Sequence, residues 1–282
     1  MVTNIRPAAV SGSWYPASAE RLGRDVDAYI AAAGTADGPP PRAIVVPHAG
    51  LRYSGPVAAY AYHASRHARY SSIVLVGPSH FVGFSGVSIW PHGAWQTPFG
   101  AVRVDEELAR AIAAQSPEVV DNREAHAREH SLEMQLPFIA HLLPGVPIVP
   151  MVMGYQSRQT AFGLGDAIAA ALDGRSRSSK LSASPPSLLV ASSDLSHFEN
   201  AAIAEKMDKV VMDCVAELDP DGLMDALERA PHHACGGGPI VSVLHAARQL
   251  GATRADVLRY ADSGDVSGDK SSVVGYMAAA IW

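Results

Sequence analysis

Three short apolar runs constrain this chain most. They are Ala43-Ile44-Val45-Val46, Ile73-Val74-Leu75-Val76 and Leu188-Leu189-Val190-Ala191. Uninterrupted runs of this kind, bounded by turn signals, read as buried strands. Each leads straight into a polar loop that holds a histidine: Pro47-His48-Ala49-Gly50, Gly77-Pro78-Ser79-His80 and Ser192-Ser193-Asp194-Leu195-Ser196-His197. In open α/β sheets the C-terminal edge of the strands is where ligands bind. If the three strands are parallel neighbours, His48, His80 and His197 converge on one cleft.

The remaining segments alternate in the same manner. Trp14 and Tyr15 are expected to pack on the domain. Ser18 caps a helix predicted over 19–33, whose Leu22, Val26, Tyr29, Ile30 and Ala33 share a face. Gly50 and Gly55 bracket a turn, and Pro56 is placed to open a helix over 56–66. Within 81–104, Val87-Ser88-Ile89-Trp90 reads as a strand, with Trp95, Thr97, Pro98 and Phe99 as a lid or cleft wall. Asp105 starts a helix over 105–115. Glu124, His126, Glu129, His130 and Glu133 lead into a helix over 131–143; His130 and Glu133, three apart, share a helical face. Position alone favours a solvated helix start for them over a cleft wall.

A strand at 148–152 and a helix over 157–172 follow. Residues 173–187, rich in Ser, Arg, Lys and Pro, read as a flexible surface loop. Helices over 200–217 and from Asp219 or Asp221 come next. His232-His233-Ala234-Cys235-Gly236-Gly237-Gly238-Pro239 then leads into a helix over 239–250. A glycine run at a helix N-terminus can cradle an anion, and the same position favours a cysteine thiolate. Strands over 256–260 and 272–280 close the chain. Strands alternating with helices throughout its 282 residues indicate one α/β/α domain, 1–282.

Composition narrows the partners. The chain is 48% hydrophobic and 18% charged, ordinary for a soluble globular protein. A net charge of -6 argues against a basic nucleic-acid face. No apolar stretch reaches the roughly 20 residues of a membrane helix, and no signal peptide precedes the first motif. Cys214 and Cys235 are the only cysteines, so there is no disulfide framework and a reducing cytoplasm is the expected setting.

A single histidine past a strand end is usually structural. Three at equivalent positions, with a thiol before a helix, strengthen the joint case, and two imidazoles with a thiolate suit a borderline metal such as Fe(II), Zn(II) or Cu. Three protein ligands leave an open position, as catalytic sites do. A further histidine would be suited to proton transfer near neutral pH.

Seven short motifs then stand in one order: Arg6-Pro7-Ala8-Ala9, Gly12-Ser13-Trp14-Tyr15-Pro16, Pro47-His48-Ala49-Gly50, Gly77-Pro78-Ser79-His80, Glu129-His130-Ser131-Leu132-Glu133-Met134, Ser192–His197 and Cys235-Gly236. This order resembles the Memo family from Arg6 to about Ala280. The family in turn is similar in fold to class III extradiol (LigB-type) dioxygenases. That resemblance implies a three-layer α/β/α sandwich around a mixed, mostly parallel central sheet. It implies metal ligation by His48, His80 and Cys235, the thiolate standing where dioxygenases usually carry a glutamate. It implies an acid–base role for His197, a neighbouring acid in Asp194, and cleft positions for His130 and Glu133. Fe(II) is the metal it favours, with Cu or Zn as alternatives.

Three functions follow as expectations. The first is a redox-active, dioxygenase-like oxidoreductase acting on a small molecule, with a zinc hydrolase as its neighbour. The second is a binding protein for a peptide or anion, as eukaryotic Memo proteins resemble adaptors. The third is a component that works beside AMMECR-type and radical-SAM proteins, as related bacterial and archaeal systems are arranged.

Overall fold

The computed structural model describes residues 4–34, 38–178 and 185–282. The first half contains β1 (Ile5–Arg6), α1 (Ala19–Ala32), β2 (Ala43–Val46), α2 (Leu51–Ser65) and β3 (Ile73–Pro78). It continues through β4 (Val87–Ile89), β5 (Ala94–Thr97), β6 (Gly100–Arg103), α3 (Glu106–Ala113), β7 (Val119–Val120) and α4 (Arg123–Ala127). A 3-10 turn (Glu133–Gln135) then leads into α5 (Leu136–Leu142) and β8 (Ile148–Met153). The second half holds α6 (Arg158–Ser178), β9 (Leu188–Ser192), β10 (His197–Glu199), α7 (Ala201–Ala216) and α8 (Pro220–Arg229). After a 3-10 turn (Pro231–His233) come α9 (Gly237–Gln249), β11 (Ala255–Asp262), α10 (Gly264–Ser267) and β12 (Val273–Ile281).

The main sheet is mixed, with strand order β10-β12-β2-β9-β3-β8-β4-β7 and β11 on the far side of β12. Its centre, β2-β9-β3-β8, is parallel; β12 and β4 run against it on either side. These four central strands are buried along their whole length, as a parallel sheet covered on both faces requires. Helices α1, α2 and α5 cover one face, and α3, α6, α8 and α9 the other, with α7 packed on α8 and β12. A second sheet, β1-β5-β6, is built from the N-terminal strand and a hairpin. The structure is the three-layer sandwich anticipated.

Pairing Val46 with Ser192 and Val76 with Ala191 aligns the ends of β2, β9 and β3. The loops bearing His48, Asp194 and His80 therefore leave one edge side by side.

Several boundaries differ from expectation for identifiable reasons. The helix after β2 starts at Leu51, and Pro56 lies inside it. Its first amide is satisfied by the carbonyl of Trp14 at 2.9 Å, so no proline is needed to open it. Gly55 is a packing position: a Cβ there would meet the Tyr29 ring at 2.8 Å. Trp95 is no lid; it is fully buried in β5 beneath the Arg6 guanidinium, 4.1 Å from its ring centroid. Phe99 packs on His141. The predicted helix over 131–143 divides into a 3-10 turn and α5, with Pro137 in the first turn of α5. Of the predicted loop at 173–187, residues 173–178 are the last turns of α6, and 179–184 lie outside the described residues.

Candidate metal centre

Ligand atoms of His48, His80 and Cys235 all lie within 4.8 Å of one another. His48 Nε2 is 3.2 Å from Cys235 Sγ. His48 follows β2, His80 follows β3, and Cys235 arrives from the opposite helix layer just before α9.

Which nitrogen each imidazole offers is set by its surroundings. Ser192 Oγ lies 2.6 Å from the Ser131 carbonyl and donates its one proton there. It accepts from Gln135 Nε2 at 2.8 Å, which leaves its contact with His48 Nδ1 at 2.9 Å to be donated by the ring. His48 is thus the Nδ1–H tautomer, with a free lone pair on Nε2 facing the thiol. His80 is fixed similarly by Glu129, whose carboxylate accepts from His80 Nδ1 at 2.9 Å. Orienting partners of this type are what metal-bound histidines require.

Glu129 is wholly buried, yet it also accepts the amides of His80, His130 and Ser131 at 2.6, 2.9 and 2.8 Å. Burial works to raise its carboxyl; the His80 ring and the amides of His80 and Ser131 outweigh that and hold it at about 2. Asp194 is arranged alike. Its Oδ1 accepts the amides of His48 at 2.7 Å and Ala49 at 3.2 Å. Burial opposes its ionisation, but His48 and His197 keep it below the usual carboxylate range. Burial also lowers His48 itself to about 4, the neutral form a ligand must have.

Cys235 corrects an expectation. Burial first, then the Asp194 carboxylate, pushes its thiol up rather than down. In the metal-free protein it is a thiol, so deprotonation accompanies metal binding. Nor is the glycine run an open anion cradle. The Gly236 amide donates to Ser193 Oγ at 2.9 Å and the Gly238 amide to Gln156 Oε1 at 2.7 Å. A Cβ on Gly236 would lie 2.5 Å from the Ser192 carbonyl oxygen, and one on Gly237 2.5 Å from Leu227. These glycines seat α9 tightly on β9 and α8.

Around the three donors stand the other anticipated residues. His130 is buried, contrary to a solvated helix start, and its ring centroid is 4.5 Å from His80 and 5.6 Å from His48. Its Nδ1 is buried without a hydrogen-bond partner. Burial lowers its basicity. The Trp14 ring lies tilted against that of His130, centroids 4.4 Å apart, and is exposed, a cleft wall rather than simple packing. His197 Nε2 faces Asp194 Oδ2 at 4.0 Å from the rim.

Glu133 is placed differently. Its carboxylate takes Arg6 Nη1 at 2.6 Å, the amides of Ala9 and Val10 at 2.8 and 2.9 Å, and the Tyr15 hydroxyl at 2.8 Å. It anchors the N-terminal segment that presents Trp14, and its hydrogen-bonding capacity is used there. Arg6 also grips the carbonyls of His126 and Glu129 at 2.8 and 2.6 Å. Glu129 and Ser192 stand in the sequence motifs without an assigned role, and Gln135 is the site residue that sequence reasoning passed over; the signal was polar side chains inside otherwise apolar surroundings.

A three-layer α/β/α fold with two tautomer-fixed histidines and a thiol at the edge of its parallel strands defines a class of candidate metal proteins. Within that class, the sequence matches the family profile described as Memo-like protein over residues 6–280. A MEMO1 family protein of Methanothermobacter thermautotrophicus is 40% identical, covering 83% of this chain and 82% of its own. Those of Ignicoccus hospitalis and Sulfolobus acidocaldarius are 37% and 39% identical, over 97% of this chain and 97% and 98% of theirs. The chain belongs to the Memo family.

Proposed function

We propose that this chain is a metal-dependent oxidoreductase of dioxygenase type, acting on a small molecule at the cleft between His48, His80, Cys235 and His130. The observation that supports it most is the donor set. Two imidazoles with free Nε2 atoms and a neighbouring sulfur suit a borderline metal; among the described residues His130 falls in a second group, with His80 and Glu129, rather than in this one. Fe(II) is the metal we expect. When bound there, it would supply Lewis acidity and a redox couple beside the substrate.

The chain's own groups have distinct tasks. Ser192 and Glu129 hold the two ligand rings. Asp194 stays ionised and faces His197 at 4.0 Å, which places a carboxylate beside the imidazole assigned to proton transfer. His130, kept neutral by burial, can accept a hydrogen bond from a substrate hydroxyl. Trp14 gives a flat ligand an apolar wall.

The test is oxygen uptake by iron-loaded protein against a panel of small phenolic substrates. Uptake that disappears in His48→Ala supports the reading; no uptake with any substrate, or uptake unchanged in His48→Ala, contradicts it. A zinc hydrolase remains the second reading, because His, His and Cys suit zinc equally. Zinc as the native metal, with ester hydrolysis lost in the same variant, would establish it instead.

A further inference from the structure

We propose that Asp208 is a positioning residue that sets, from outside the cleft, where His197 stands. The proposal rests on the reading of His197 as the proton-transfer group. Asp208 lies on α7 with its side chain fully buried. Its Oδ1 accepts the amide of Ser196 at 2.8 Å, and its Oδ2 accepts the Tyr260 hydroxyl at 2.8 Å. Ser196 is the residue before His197, so the carboxylate grips the backbone one position from the imidazole.

The surrounding strands are shaped to admit this carboxylate. Gly275 of β12 passes so close that a Cβ there would fall 1.9 Å from Asp208 Oδ2. The same glycine exchanges backbone hydrogen bonds with the loop: Leu195 donates to its carbonyl at 2.9 Å, and its amide donates to Ser196 at 3.0 Å. On the other side of His197, the register of β10 against β12 breaks between His197 and Glu199. The residue thrown outward is Phe198, with φ +66° and 79% exposure. A bulge re-aims its neighbours' side chains, and a bulky residue at positive φ persists only where its surroundings enforce it. Asp208, through the Ser196 amide before His197, and the bulge after it together hold His197 toward Asp194.

The chemistry of the pair explains the choice of a carboxylate. Two donors, an amide and a phenol, converge on it, and both need acceptors. Asparagine at 208 keeps an oxygen for the Ser196 amide and turns its NH₂ to the Tyr260 oxygen. Alanine loses both.

The experiment compares Asp208→Ala, Asp208→Asn and Tyr260→Phe in the full chain. The readouts are the His197 imidazole NMR resonances, assigned by their loss in His197→Gln, and iron content after anaerobic loading. We expect Asp208→Ala to displace the His197 resonances while iron content stays at the wild-type level, and Asp208→Asn to restore them. Oxygen uptake in Asp208→Ala should fall by about a hundredfold, the scale of a mispositioned catalytic group. Should Asp208→Ala fail to fold, Tyr260→Phe should give a smaller displacement of the same sense. His197 resonances that superimpose on wild type in Asp208→Ala or Tyr260→Phe would overturn the proposal. So would iron loss in step with their displacement, which would make Asp208 a general structural residue. If His197→Gln leaves oxygen uptake unchanged, the proton-transfer reading fails and the positioning result still stands on the resonances.

Discussion

The two ligand histidines lean on neighbours of opposite character. His48 donates to a neutral hydroxyl that is itself locked by Ser131 and Gln135, whereas His80 donates to a buried carboxylate. If these partners fix the tautomers, Ser192→Ala and Glu129→Gln should each weaken metal binding by about 10–100-fold. Competition titration against a chromophoric chelator reads this directly; wild-type affinity in both variants would refute the tautomer assignment. Arg6 works at the same scale. It is buried, pairs with Glu133 and holds two carbonyls of the segment that carries Glu129 and His130. Arg6→Ala leaves a buried carboxylate without its cation and should cost about 3–5 kcal/mol of stability, measurable by urea denaturation.

At the scale of elements, the start of α9 is fixed by close packing. Its N-terminal glycines meet β9, α8 and Met153 at distances no side chain tolerates. Gly236→Ala should therefore lift the helix start off Ser192 and carry Cys235 with it. We expect metal content to fall further than the melting temperature would suggest, with Gly55→Ala as the contrast. That variant should separate α1 from α2 and destabilise the fold by about 1–3 kcal/mol while sparing the metal. Equal metal content in the two variants would count against α9 as the element that seats the thiol. The sequence made most elements visible, because β2, β3, β8 and β9 are plain apolar runs and Ser18, Asp105 and Asp219 are capping residues that accept helix amides. It concealed the start of α2, since the capping partner is the carbonyl of Trp14, far away in the chain. It concealed the end of α6 because Ser and Arg describe a solvated last turn as well as a loop.

Over the whole molecule, the parallel centre of the sheet is what turns separate motifs into one site. A cleft shared by His48, His80 and His197 was legible because each loop follows an apolar run, and the structure puts His197 beside it, facing Asp194. Their orienting partners were not, because Glu129, Gln135 and Ser192 acquire meaning only when loops from different strands meet. The Cys235 thiol misled for a related reason: proximity to a helix N-terminus was readable, whereas burial beside Asp194 was not. The same burial predicts the acid response of the metal-free protein. His48 is lowered from an ordinary value of 6.5 to about 4, and His126, buried between two tryptophans, to about 3. Between those values and 6.5 the unfolded chain binds protons that the folded chain does not, so stability falls as pH drops through that window. Glu129, lowered from 4.5 to about 2, adds a loss in the same direction at lower pH. The melting temperature of the metal-free protein should decline steadily from pH 7 to pH 4; a flat or rising profile would contradict the buried neutral histidines.

Elemental analysis of anaerobically purified protein tests the central claim most directly, with wild type beside His80→Ala and Cys235→Ser. One site built by His48, His80 and Cys235 predicts close to one metal ion per chain in wild type and a large loss in both variants. Equal metal content in all three proteins, or none in wild type, would contradict it.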